Sequence, residues 1–149
     1  MKIEDLEKLT PYCDDGDNKN TEVSQASIYW HLDHIFQVIT GISKALIKSD
    51  PSQYKSKFSP SWAGIKLAGI IPRGAGKAPK SVQPQNIKDS VALLDDLEST
   101  KSILKRVHML NKRAHFDHPV FGTLDLKNSL KFLKIHTNHH LKIIDDILK

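Results

Sequence analysis

The sequence predicts an all-α protein, which we interpret as a four-helix bundle. Three observations favour this fold class. Apolar residues recur at helical spacing over three long stretches, and no stretch of useful length alternates as a strand would. The third is that residues 50–86 hold five of the seven prolines and four of the seven glycines, which predicts one long irregular segment between helical regions.

The N-terminal half contains two of the four predicted bundle helices. Residues 1–22 are predicted to form a polar extension with a short helix over residues 3–9 and a loop over residues 14–20. The first bundle helix is predicted over about residues 23–47, where apolar side chains recur every three or four positions. The second is predicted to be short, over residues 61–71, with Pro60 or Ser59 at its start and Pro72 at its end.

The C-terminal half supplies the other two helices. A long basic loop separates the second predicted helix from the third, which covers about residues 88–111. A turn over residues 118–122 then leads to the final helix, predicted to run to about Leu148. Asp125 is well placed to cap the start of this final helix.

Composition indicates one soluble domain over residues 1–149. Hydrophobic residues make up 39% of the chain and charged residues 26%, and both are ordinary values for a globular protein with its own core. No stretch has the length and apolar character of a membrane span or a signal peptide. Cys13 is the only cysteine, so we expect no internal disulfide and a cytoplasmic location. The apolar helices also allow a homodimer.

The net charge of +5 is distributed unevenly. Residues 44–88 carry nine lysines and arginines against Asp50 alone, whereas residues 1–22 are acidic. We interpret this basic segment first as a solvated face, and alternatively as a surface for an anionic ligand or partner. Nucleic acid is disfavoured, because the segment lacks interleaved aromatic residues and any helix-turn-helix or zinc-finger pattern.

Histidines are the candidate functional residues. His136 and His140 lie four apart on the final predicted helix, so their rings can be directed at one metal ion. His139 lies about a third of a turn away and is a weaker candidate. A third ligand must come from another helix, and the first bundle helix offers His31 and His34, between which spacing does not decide.

Three imidazoles with a coordination position left open are typical of a catalytic metal site, since structural zinc sites are normally closed by four protein ligands. Zinc or nickel is the first expectation, and iron is a further candidate. The metalloprotease pattern His-Glu-x-x-His is excluded, because Thr137 stands where the glutamate base would be. No Asp or Glu near these histidines is an evident general base, so the catalytic residues are left unassigned.

Several segments together resemble the DinB/YfiT-like superfamily of metal-dependent proteins, in a branch with HPxFG and HxxHH motifs. The resemblance covers about residues 24–145 and is carried by residues 27–32, residues 77–84, the His-Pro-Val-Phe-Gly turn at residues 118–122, and residues 136–141. The last two motifs are the specific part. One departure is Ile143, at a position where relatives often have Gln, and for this reason no detailed mechanism is transferred.

The resemblance implies a bundle of up-down-down-up topology that holds a divalent metal through one histidine of the first helix and a His-x-x-x-His pair of the last. In this chain those residues are His31, His136 and His140. His34, His118 and His139 are then expected to line the pocket or to contact the metal ligands.

The function predicted on this basis is that of a metal-dependent enzyme acting on a small molecule. A thiol-dependent transferase that uses a low-molecular-weight thiol is the first expectation, and a small metallo-hydrolase is the second. The alternative is a non-catalytic helical module that binds an anionic ligand or partner through residues 44–88. An enzyme requires the three histidines around one point beside an open cavity, whereas a binding module would bury these histidines between its helices.

Overall fold

Most of the chain forms helices with identifiable capping residues. The computed structural model describes residues 1–14, 16–74, 82–86 and 88–149, and this part of the protein is mostly helical. The helices are α1 (Ile3–Glu7), α2 (Thr10–Asp14), α3 (Ile28–Lys48), α4 (Pro60–Ala68), α5 (Ser90–Val107) and α6 (Leu126–Ile147). The chain also forms a 3₁₀ turn at Pro51–Gln53 and the antiparallel strands β1 (His115–His118) and β2 (Gly122–Asp125).

The two helices that bring the predicted metal ligands both begin at side-chain caps. Ser27 accepts a hydrogen bond from the backbone amide of Trp30, so α3 begins five residues later than the apolar periodicity predicts. Asp125 accepts a hydrogen bond from the amide of Asn128 at 2.8 Å and caps α6 as predicted. Because both caps are local, these helix starts are set largely by the sequence around them.

Helices α4 and α5 are shorter than predicted. Helix α4 begins after Ser59, and its last residue, Ala68, is followed by Gly69, which adopts the left-handed conformation with φ of +68°. A residue without a Cβ atom adopts this conformation at little cost, so the helix ends three residues before the predicted end at residue 71. Helix α5 is capped by Asp89 and ends at Val107.

The core forms around α3. This helix packs against both α5 and α6, and α1 and α2 pack against α5. The N-terminal segment was expected to be a polar extension, but its residues Leu6, Leu9 and Cys13 are fully buried. The first helices therefore contribute to the core. The predicted up-down-down-up bundle topology stays a prediction.

A β-hairpin precedes α6 and was not predicted. His118 pairs with Gly122 next to the turn, and Phe116 pairs with Leu124, whose side chain is buried. Gly122 has φ of +71°, a conformation that glycine adopts readily and that fits the predicted tight turn. Each strand has four residues, too few for alternation to be recognised in the sequence.

The predicted long basic loop joins α4 to α5. Residues 75–81 and 87 lie outside the described residues, and with them Lys77, Lys80 and most of the segment at residues 77–84 that carries part of the family resemblance. Of the helices that the structure describes, none combines the length and the apolar character needed to cross a membrane.

Candidate metal centre

Three histidines from α3 and α6 meet at one point. His34, His136 and His140 each present a ring nitrogen, and these atoms all lie within 4.8 Å of one another. His136 and His140 occupy successive turns of α6, as their spacing predicts, and His34 faces them from α3. His34 and His140 are buried, while His136 is half-buried.

The ring of His34 is held in one orientation. Its Nδ1 lies 2.6 Å from the carbonyl oxygen of Val82. A carbonyl oxygen only accepts, so Nδ1 carries the proton and donates it. The other nitrogen, Nε2, then has a free lone pair for a metal ion, an arrangement common among metal-binding histidines. Trp30 stacks on the same ring, with the ring centres 5.1 Å apart.

A hydrogen-bonded chain orients His140. Its Nδ1 lies 2.9 Å from Nδ1 of His31, and Nε2 of His31 lies 3.0 Å from the hydroxyl oxygen of Ser24. When His140 donates from Nδ1, His31 accepts at Nδ1 and donates from Nε2 to Ser24. His140 then keeps its Nε2 lone pair for a metal ion.

His136 has a buried ring nitrogen that lacks a partner. Its Nδ1 makes no hydrogen bond to any residue of the described chain. A buried polar atom left in this state costs on the order of 1–3 kcal/mol, so its presence calls for an explanation.

The two candidates on α3 occupy different positions relative to the histidines of α6. Spacing left the choice open and the family resemblance favoured His31, but His34 is the residue grouped with His136 and His140. His31 is buried beside the group and contacts it through His140. The two residues lie three apart on one helix face, so only the packing of α3 against α6 distinguishes their positions.

A cavity of about 810 Å³ opens beside the three histidines, and all three line it. His118 and His139 also line this cavity. His118 contacts none of the three histidines through a hydrogen bond. Its Nδ1 instead accepts from the amides of Val120 and Phe121, at 3.1 and 3.2 Å.

Burial keeps these imidazoles neutral. It lowers the pKa of His34 and holds the pKa values of His136 and His140 well below the usual value for histidine. Burial also lowers the pKa of His31 to about 4. The neutral ring is the form that binds a metal ion, so no proton has to be displaced at neutral pH.

The carboxylate of Asp33 is directed away from the three histidines. Asp33, next to His34 in the sequence, accepts a hydrogen bond at 3.0 Å from Lys88, which also pairs with Asp96. Within the described ranges, no Asp or Glu lines the cavity. Asp33 therefore faces elsewhere, as its position two residues after His31 predicts.

Known proteins offer no assignment for this chain. It matches no family model, no curated protein and no solved structure. The resemblance to the DinB/YfiT-like superfamily therefore stays a prediction, and the function is inferred from the geometry of the histidines.

Proposed function

We propose that the protein is a metal-dependent enzyme in which His34, His136 and His140 hold one divalent ion. The observation that supports this most directly is the convergence of three neutral imidazoles from two helices at the wall of an open cavity. Three protein ligands leave room for a further one from solvent or substrate, as in catalytic zinc sites. The open cavity favours an enzyme over the non-catalytic binding module, in which the histidines would be buried between the helices.

The unpaired nitrogen of His136 also supports a metal ion. Coordination through Nδ1 would give this buried atom the partner that it lacks among the described residues. In His34 and His140, one ring nitrogen is within hydrogen-bond distance of a neighbouring residue, which leaves the other nitrogen available for a metal ion. Zinc and nickel are the first candidates for the ion, followed by iron.

The reaction class follows from what such an ion supplies. A divalent ion with an open position lowers the pKa of a thiol or water molecule placed there and so provides a nucleophile at neutral pH. Transfer that uses a low-molecular-weight thiol is our first proposal, and hydrolysis of a small molecule is the second. Membership of the DinB/YfiT-like superfamily, with its four-helix bundle, is part of the same proposal.

Elemental analysis of tag-free protein tests the metal centre. The wild-type chain is expected to retain about one equivalent of divalent metal after reconstitution and desalting. Replacement of His34, His136 or His140 by Ala removes one of three ligands, and each variant is expected to retain less than about a tenth of that amount.

His108→Ala is the matched control, because His108 is exposed near the end of α5 and lies outside the group. It is expected to retain metal as the wild type does. Reconstituted wild-type protein without stoichiometric metal, under conditions in which circular dichroism shows a folded chain, would contradict the proposal.

Cobalt-substituted protein tests for the open position and for the thiol. Addition of 2-mercaptoethanol is expected to produce a thiolate-to-cobalt charge-transfer band in the near ultraviolet, because the thiolate would enter the open position. The same titration of cobalt-free protein is the control. Absence of the band at saturating thiol would exclude the transferase proposal and leave hydrolysis.

A further inference from the structure

We propose that the cavity beside the three histidines binds an uncharged, largely apolar organic molecule with one hydrogen-bond acceptor, and that His118 donates to this acceptor. The inference deepens the proposed function, since it names the substrate class for the same cavity. Binding itself is argued from the cavity walls and does not require the metal ion.

Every helix or strand pair that contributes to the walls supplies apolar side chains, beside the histidines and Ser61. The apolar side chains come from α3, α4, the hairpin and α6, and include Val38, Ile42, Ile65, Phe116, Phe121 and Phe132. A volume of about 810 Å³ is within the range of small-molecule sites. Such walls favour a ligand that buries apolar surface.

The described residues that line the cavity include no Asp, Glu, Lys or Arg. Among these described residues, a charged ligand would lose its hydration without meeting an opposite charge. Of the described cations in the basic segment, Arg73 and Lys66 lie next to lining residues, and both are engaged at the surface. Arg73 pairs with Asp146, and Lys66 donates to the side-chain oxygen of Asn128 at 2.9 Å.

His118 is a fixed donor in this wall. Because its Nδ1 accepts two backbone amides, the proton of the neutral ring is on Nε2. Phe121 stacks on the ring with centres 4.4 Å apart, and Phe132 contacts it edge-on at 4.7 Å. Burial lowers its pKa to about 4, so the ring is neutral at physiological pH. It therefore offers one N–H group, and no other described residue forms a hydrogen bond with Nε2.

Two fluorescent probes that differ in one group test the charge preference. N-phenyl-1-naphthylamine is neutral, and 8-anilino-1-naphthalenesulfonate is the same molecule with a sulfonate. With metal-free protein, we expect one neutral probe to bind per chain, at least about tenfold more tightly than the anion. Equal or tighter binding of the sulfonate would overturn the proposal and favour an anion site formed by the basic segment.

A pair of variants locates the probe. Ala45 is an exposed residue of α3 that lines the cavity, so Ala45→Phe is expected to reduce affinity for the neutral probe at least about fivefold without disturbing the core. Ser102→Phe places the same side chain on the exposed surface of α5 and is expected to leave binding unchanged. Unchanged binding in Ala45→Phe would show that the probe binds elsewhere and would overturn the proposal.

Displacement of the neutral probe by 2-acetylnaphthalene and 2-ethylnaphthalene tests the donor. The ketone has an acceptor oxygen that the hydrocarbon lacks, and we expect it to bind about fivefold more tightly. His118→Asn should abolish this preference, because its amide oxygen can still accept from the turn but no donor replaces Nε2. His118→Gln, whose amide nitrogen reaches further, should restore part of it. A preference that persists in His118→Asn, or is absent from the wild type, would overturn the role of His118.

The metal-free protein keeps this test separate from that of the metal centre. If the neutral probe binds but the reconstituted chain holds no stoichiometric metal, the proposed ligand cavity is supported and the proposed metal-dependent enzyme is contradicted. If the chain holds stoichiometric metal but shows no preference for the neutral probe, the proposed metal centre is supported and the proposed substrate class is overturned.

Discussion

His31 lies within hydrogen-bond distance of His140 and outside the group formed by His34, His136 and His140. We therefore expect His31→Phe to bind one metal ion with about 10–100-fold lower affinity, since the ring of His140 would lose the contact that orients it. Competition with a chromophoric chelator measures this affinity.

Ser24→Ala is a second variant with a smaller expected effect, because it removes only the hydroxyl that contacts His31 and leaves the contact between His31 and His140 in place. We expect a smaller loss of affinity than in His31→Phe. Complete loss of metal from His31→Phe, together with retention in His34→Ala, would instead identify His31 as the ligand, as the family resemblance implies.

The site could be predicted from sequence only where its residues share a helix. The spacing of His136 and His140 places them on one face, and the structure brings them together. The choice between His31 and His34 depends on how α3 packs against α6, and neighbours along the chain do not determine it. The fixed donor state of His118 depends on the conformation of the hairpin turn, whereas the sequence predicts only that a tight turn occurs at Gly122.

Helix α6 carries two of the proposed ligands and begins at Asp125, whose carboxylate accepts from both the backbone and the side-chain nitrogen of Asn128. We expect Asp125→Ala to lower the free energy of unfolding by about 1 kcal/mol, because the first turn would lose its cap. Urea denaturation followed by circular dichroism measures this change.

Asp125→Asn is the matched control, since asparagine caps helices about as well as aspartate. It is expected to retain most of the stability. An equal loss in both variants would show that the negative charge of Asp125, rather than its capping hydrogen bond, stabilises the helix start.

Among the elements, the helices were predictable and their ends less so. Apolar periodicity identified the regions of α3, α5 and α6, because these helices bury one face against the core. The helix starts are set by single capping residues such as Ser27 and Asp89, and apolar periodicity carries no information about these residues. The hairpin was missed because its pairing depends on the contact between two short segments.

At the scale of the whole molecule, buried imidazoles make stability depend on pH. His118 has a pKa of about 4 in the folded chain and an ordinary value near 6.5 when unfolded. The unfolded chain therefore binds more protons in this interval, and the stability from the neutral ring is present above pH 6.5 and is lost as the pH falls towards 4. We expect the Tm of metal-free protein to fall progressively from pH 7 to pH 5.

Thermal unfolding of His118→Asn over the same range is the comparison. This variant lacks the titrating ring, so its Tm should depend less steeply on pH, whatever its absolute stability. His108→Ala, which removes an exposed histidine outside the cavity, is the control variant. Identical slopes in all three proteins would contradict a contribution from His118.

Asp33 and His34 are consecutive residues of α3, and both are bound to the segment that precedes α5. Asp33 pairs with Lys88, and His34 donates to the carbonyl oxygen of Val82. Consecutive helical side chains point about 100° apart, so these two contacts act together with the packing against α5 and α6 to hold the rotation of α3 about its own axis. A turn of the helix by one residue would exchange an imidazole for a carboxylate at the wall of the cavity. Which side chains α3 presents to the candidate site thus depends on the rotation of the helix, and a short segment distant in sequence contributes to holding that rotation.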